Sequence, residues 1–350
     1  MTSTGPYFDV CIYDDVGMPF TDETVATQAL GGSEFVVWQL AHEWARRGKS
    51  VLVWQGRGEP REVKGGPNGL ITYRFGPSTM GFRADLFIHH RYSGLAYESL
   101  QKEDGNFLVT WNRRFVLCTD LFGTHYSQGT VGMLACQTPV VCVSETQAIP
   151  FRAHRNVLDR HRQEPFGWDV RVIPNPIPTD AYDRTLYRPD PNRFVYASAA
   201  LKGLRATLEA WRELKRDPVF KDARLRVLSP GYDDSSFASG LDGVDYVGPV
   251  PNHVVIDELR HAAGLFYVND YPETFCLVAA YAEAIGARVH CLVRHGGAIP
   301  ETVTSPFVTS DRNTFLNDFK RAFRQDVSAP DPKNYRIETI VDAWDKFATP

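Results

Sequence analysis

The chain has 350 residues, 43% hydrophobic and 23% charged, with a formal net charge of −4 at pH 7. This composition excludes a disordered or fibrous chain, and the slightly acidic balance gives no electrostatic reason to expect nucleic acid as a partner. The length exceeds what one hydrophobic core usually supports, so two domains are expected, although length alone also admits one large α/β barrel.

The opening MTSTGPYFDV has no basic, apolar leader, and no run of about eighteen apolar residues follows, so a cytoplasmic protein is expected. Cys11, Cys118, Cys136, Cys142, Cys276 and Cys291 lie in apolar segments without CxxC pairs. They read as reduced, buried thiols, and no metal site is expected.

In chain order, the strand FDVCIYD precedes a helix over residues 32–47, in which Val37, Leu40, Ala41 and Trp44 form a core-facing stripe before Gly48 ends it. SVLVW, DLFIHH, FLVTW and VVCVS read as further strands, an alternation that predicts βαβ units around a parallel sheet. A proline-rich stretch over 172–191 stiffens a linker. A second alternation follows: FVYASA, a helix over 202–214, RLRVLS, VDYVG, a helix around 257–263, GLFYVND, a helix after Glu273, and RVHCLV.

The pattern predicts two Rossmann-like domains facing each other across a cleft, residues 1–186 and 187–332. A last helix carrying Ile337, Ile340, Val341 and Trp344, within 333–350, is expected to pack back on the first domain. The cleft is the default binding site.

Three glycine- or carboxylate-bearing turns stand out. Leu30-Gly31-Gly32-Ser33-Glu34 opens the first helix, where tandem glycines let backbone N–H groups approach an anion; the plainer alternative is a turn with Ser33 as N-cap. It lacks the G-x-G-x-x-G pattern of nicotinamide enzymes, and Gly48-Lys49-Ser50 reads as a helix end rather than a P-loop.

Tyr271-Pro272-Glu273-Thr274-Phe275-Cys276-Leu277 offers either a cap or a carboxylate for sugar hydroxyls. The N–H groups of Thr274, Phe275, Cys276 and Leu277 are then open to a diphosphate. Arg294-His295-Gly296-Gly297 is a strand-to-helix turn with a charged neighbour. The basic run FRAHRNVLDRHR over 151–162 is either a solvated face or a peripheral membrane contact.

These segments in their order resemble the retaining GT-B enzymes of glycosyltransferase family 4: GGSEFVVWQLAHEWARRGKSVLVW, VCVSETQA with VIPNPIPTDAY, ALKGLRATLEAW, VGPV, YPETFCLVAAYAEAIG and GGAIPETV. The resemblance covers most of the chain. It implies transfer of a sugar from a nucleotide-diphosphate donor, UDP- or GDP-linked, to a glycan, lipid-linked or small-molecule acceptor. Retention of anomeric configuration, and no metal or other cofactor, are implied with it.

Carried over by residue, Gly31, Gly32 and Ser33 would face the donor phosphates, Lys202 would neutralise the leaving diphosphate, and Glu273 would contact the transferred sugar. His90 falls near an acceptor-side histidine of the family. Three positions depart from the pattern. Ala197 replaces an arginine five residues before Lys202, leaving Arg205 or Arg294 as substitutes. Asn112 stands where many members carry a histidine. Tyr281 replaces a second glutamate and is expected to make one weaker contact to the donor ribose, with Glu283 turned away. These departures keep open a binding protein that has lost turnover, and a nucleotide-sugar epimerase is a third reading.

Overall fold

The protein, seen as a computed structural model, is described over residues 5–76, 81–91, 109–121, 138–161, 169–324 and 329–348. Cys136 and Arg162 lie outside the described residues, as do the side chains of Arg155 and Arg160. Contacts divide the chain into a unit of Met1–Glu23, Val36–Pro176 and Ile337–Pro350 and a unit of Thr24–Phe35 and Ile177–Arg336.

The first unit holds β1 (Tyr7–Asp14), β2 (Val51–Gln55), β3 (Arg61–Gly65), β4 (Ile71–Phe75), β5 (Phe82–His90), β6 (Val109–Cys118), β7 (Val140–Cys142) and β8 (Val170–Val172). They form one sheet in the order β3-β4-β2-β1-β5-β6-β7-β8, parallel except for the β3 and β4 pair. Strands β2 and β4 are buried along their whole length, as expected where a parallel sheet is covered on both faces.

Helices α1 (Asp22–Thr27), α2 (Gly32–Arg46) and α3 (Glu145–His161) follow the same chain order. The stripe of Val37, Leu40, Ala41 and Trp44 is fully buried. Because α2 begins at Gly32, Ser33 lies inside its first turn and is not the N-cap.

The second unit holds β9 (Asp190–Ala197), α4 (Leu204–Lys215), β10 (Arg224–Ser229), β11 (Val244–Pro249), α5 (Asn252–Arg260), β12 (Ala262–Asn269), α6 (Leu277–Ile285), β13 (Arg288–Val293), α7 (Ile299–Thr302), β14 (Val308–Thr309) and α8 (Arg312–Arg324). Its sheet runs β11-β10-β9-β12-β13-β14, all parallel. Trp211 of α4, Phe266 of β12 and Phe319 of α8 meet with ring centroids 4.9–6.3 Å apart and fill one face. The last helix, α9 (Ile337–Ala348), belongs to the first unit, where Trp344 packs edge-on against Trp44 at 6.4 Å.

Two helices differ from the sequence expectation. The helix expected over 202–214 is α4, which starts two residues later at Leu204; Lys202 instead closes a 3-10 turn, Ala200–Lys202, and Gly203 at φ 127° separates the two. The helix expected around 257–263 starts earlier, at Asn252, and the apolar Ala262 and Ala263 already belong to β12.

Gly203 is fixed by space as well as by its dihedral, because a β-carbon there would lie 2.0 Å from the Val268 carbonyl oxygen. Gly203→Ala should therefore lower unfolding stability by about 2 kcal/mol or more, read from urea denaturation midpoints at constant m-value.

Candidate functional site

In each sheet the strand order reverses at one place, between β1 and β5 in the first unit and between β9 and β12 in the second. Open parallel sheets bind ligands outside the carboxyl ends of the strands at such points, since the loops there diverge and leave backbone groups free. The chemistry-bearing side chains gather there in both units.

In the second unit, Lys202 follows β9 and Glu273 follows β12. Lys202 Nζ donates to both carboxylate oxygens of Glu273, at 3.0 and 2.9 Å. Burial disfavours the charged amine, yet the Glu273 carboxylate overrides this and holds Lys202 above the ordinary lysine range. The amine also lies 5.5 Å from the centre of the Tyr271 ring. The Lys202 carbonyl accepts from the Asp270 N–H at 2.9 Å, which ties the turn to the end of β12.

Glu273 is held through its backbone as well. It bridges to Gly297, its carbonyl accepts from the Ala298 N–H at 2.8 Å, and a β-carbon at Gly297 would lie 2.6 Å from its nitrogen. Gly297 of RHGGAIP thus lets the two loops touch.

Thr274 and Phe275 continue this loop, and Thr302 donates to the Phe275 carbonyl. Cys276, at φ 75° and ψ 76°, then turns the chain so that α6 begins at Leu277. A β-carbon at Gly32 would lie 2.7 Å from Leu277 Cδ1. The N-termini of α2 and α6 therefore meet at Gly32, and their free N–H groups and dipoles both favour an anion. Gly31 is similarly confined, with Glu34 and the exposed ring of Tyr232 beside it.

In the first unit, Asp14 and His90 are the last residues of β1 and β5 and are register partners. His90 Nδ1 lies 2.9 Å from Asp14 Oδ2 and Nε2 lies 3.1 Å from Thr119 Oγ1. Burial works against the Asp14 charge, but His90, Arg91 and the Gly17 N–H together hold its carboxyl well below the ordinary carboxylate range. The carboxylate can only accept, so Nδ1 carries the proton shared with Asp14, and Nε2 faces the Thr119 hydroxyl.

Neither a protein-family profile nor a curated protein matches the sequence. Solved structures do match along nearly the whole chain. Sucrose-phosphate synthase from Thermosynechococcus elongatus is 16% identical with a TM-score of 0.64, covering 98% of each chain. Trehalose-6-phosphate synthase is 11% identical with a TM-score of 0.64, covering 97% of this chain and 98% of that one. Anabaena HepE in complex with UDP and glucose is 13% identical with a TM-score of 0.60, covering 97% and 99%.

The fold is GT-B. Within this GT-B chain several expected site residues lie elsewhere than the sequence suggested. Asn112 opposes the β5 segment around Asp85, to which it donates at 2.6 Å, whereas Leu117 is the β6 partner of His90. Five residues of strand, roughly 17 Å, separate Asn112 from the carboxyl end of the sheet, and its side chain is exposed. His90 has no exposed side-chain surface and both ring nitrogens are engaged, so it acts on anything outside only through Thr119.

Arg205 stacks on Phe237 at 4.1 Å, and Arg294 pairs with Asp270 at 2.9 Å. Arg294 is thereby linked to the Lys202 turn through Asp270, while Arg205 is occupied by a ring. Tyr281 is 2% exposed inside α6. Glu283 is buried too; it accepts from the Thr304 N–H at 2.7 Å, and burial raises its carboxyl pKa.

Sequence reasoning missed Asp14 and Thr119. The only available signal was their position at strand ends, and the partners of those ends depend on register.

Two outcomes follow from these placements. Tyr281→Glu should bury a carboxylate and cost about 3 kcal/mol of stability by urea denaturation, with no gain in discrimination between ribose and deoxyribose nucleotides by calorimetry. Asp14, whose folded pKa is depressed, contributes stability that is present above about pH 4 and lost as pH falls further. Asp14→Asn should therefore destabilise the protein at pH 7 and narrow its difference from wild type at pH 3, checked by denaturation at the two pH values.

Proposed function

We propose that this protein is a glycosyltransferase that moves a sugar from a nucleotide-diphosphate donor to an acceptor with retention of anomeric configuration. The observation that carries the reading is the Lys202 and Glu273 pair at the β9/β12 switch, beside the N-termini of α2 and α6. That set supplies a cation and backbone donors for a diphosphate, and a carboxylate for sugar hydroxyls.

In the proposed reaction the anomeric C–O bond to the diphosphate breaks and its electron pair stays on the phosphate oxygen. Lys202 and the N–H groups of Gly31, Gly32, Ser33 and Leu277 stabilise that charge. The acceptor oxygen bonds to the anomeric carbon from the same face and its proton passes to the departing phosphate. Glu273, chelating Lys202 through both oxygens, suits hydrogen bonding to the sugar and not attack on it, which supports retention without a covalent intermediate.

In this proposal Asp14 and His90 orient Thr119 on the acceptor side, and Arg294 takes the place of the arginine missing at Ala197. HepE, a fold relative solved with UDP and glucose, supports a UDP-linked donor over a GDP-linked one. The acceptor class, glycan, lipid-linked or small molecule, belongs to the proposal. So do a cytoplasmic location and peripheral membrane contact through α3; among the described residues no helix is long and apolar enough to cross a membrane.

A second reading, a nucleotide-sugar-binding protein without turnover, is favoured by Ala197 and by the distance of Asn112 from the sheet's carboxyl edge. Hydrolysis and transfer assays with UDP-, GDP-, ADP- and TDP-sugars decide between them. Turnover of at least one donor is expected, and Lys202→Ala should reduce kcat/KM by roughly a hundredfold. Nucleotide-induced thermal stabilisation without turnover would establish the second reading.

A further inference from the structure

Strand β12 is buried along all eight of its residues, Ala262–Asn269. Six of the residues in AAGLFYVN are apolar, and the chain still places a phenol and an amide two residues apart, on one face of the strand. The Tyr267 hydroxyl lies 3.3 Å from Glu273 Oε1 and 3.4 Å from the Lys202 carbonyl, and it receives Asn269 Nδ2 at 2.9 Å.

Burial, reinforced by Glu273, pushes the Tyr267 pKa well above the ordinary phenol range, so the group is a neutral donor with a single proton. A carboxylate is a stronger acceptor than a carbonyl, and the proton goes to Glu273. Asn269 must then donate to the phenol oxygen, which fixes its amide orientation. That orientation leaves Asn269 Oδ1 buried with no hydrogen-bond partner among the described residues. An unmet buried acceptor is costly, and an apolar residue at 269 would avoid the cost. Packing alone therefore does not account for the amide.

We propose that Tyr267, set by Asn269, is the positioning residue of the Glu273 carboxylate. Lys202 bonds both carboxylate oxygens and Tyr267 also bonds Oε1, so the orientation of that oxygen persists when the amine turns toward a diphosphate. The assignment of Glu273 to the sugar rests on the function proposed above; the contact itself does not.

The test uses the full chain with tyrosines labelled at Cζ with carbon-13, the Tyr267 resonance being identified by its loss in Tyr267→Phe. That resonance should move by more than its linewidth in both Glu273→Gln and Asn269→Ala. In kinetics with a nucleotide sugar that wild type turns over, Tyr267→Phe should lower kcat about tenfold with KM changed less than about twofold, the scale of one hydrogen bond to a charged group. Asn269→Ala should give a smaller loss, and the double variant no more loss than Tyr267→Phe alone, because the amide acts through the phenol.

An unmoved resonance, additive losses, or a Tyr267→Phe protein with wild-type kcat would overturn the proposal. Absence of turnover in wild type, with the resonance responding as expected, would instead overturn the transferase reading and leave the Tyr267 contact established.

Discussion

The ion pair between Lys202 and Glu273 joins residues 71 positions apart and depends on close approaches made before it can form. Gly203 lets the lysine turn press on β12, Gly297 lets the loop after β13 press on Glu273, and left-handed Cys276 releases the chain into α6. The glycines adopt their positive φ at no steric cost, whereas the left-handed conformation of Cys276 is costly for a residue with a β-carbon. Buried ion pairs give little net stability, because desolvating two charges offsets most of their attraction. Stability alone therefore gives little reason for such a pair at the carboxyl edge of a parallel sheet, which is where the proposed function puts the donor.

The same logic orders the first unit. Parallel register sets Asp14 beside His90 and extends the pair to Thr119 at the end of the next strand. A histidine so enclosed has both ring nitrogens engaged by its two neighbours, Asp14 and the Thr119 hydroxyl. Arg91, at φ 53°, directly follows and lies 4.0 Å from both Asp14 and Asp120, so the strand ends share one polar cluster.

Away from the switch points, charged groups settle into neighbourly pairs with other tasks. Arg226 and Glu258 tie β10 to α5, and Arg47 and Lys49 reach Asp345 of α9, anchoring that last helix beside Trp44. Partly buried pairs of this kind, still in reach of solvent, contribute modestly as individuals. Their value is orientation of elements whose buried faces supply the energy.

Much of the fold was legible in the sequence. Hydrophobic periodicity reveals the strand and helix alternation, the α2 stripe and the proline-rich linker because it is a local property, and the motif order pointed to GT-B. Lys202, Glu273 and the glycine turn were visible as well, each at a strand-to-helix junction where residue type and position carry meaning together.

Tertiary structure decided the rest. Tyr281 sits eight residues beyond Glu273 in a pattern that suggests ligand contact, yet the loop through Cys276 rotates α6 so that Tyr281 is buried. Asn112 aligned with an active-site position, and strand pairing sets it opposite Asp85, five residues before Leu117, the β6 partner of His90. Register, helix phase and the partner of each polar group arise from contacts distant in sequence, and no local pattern encodes them.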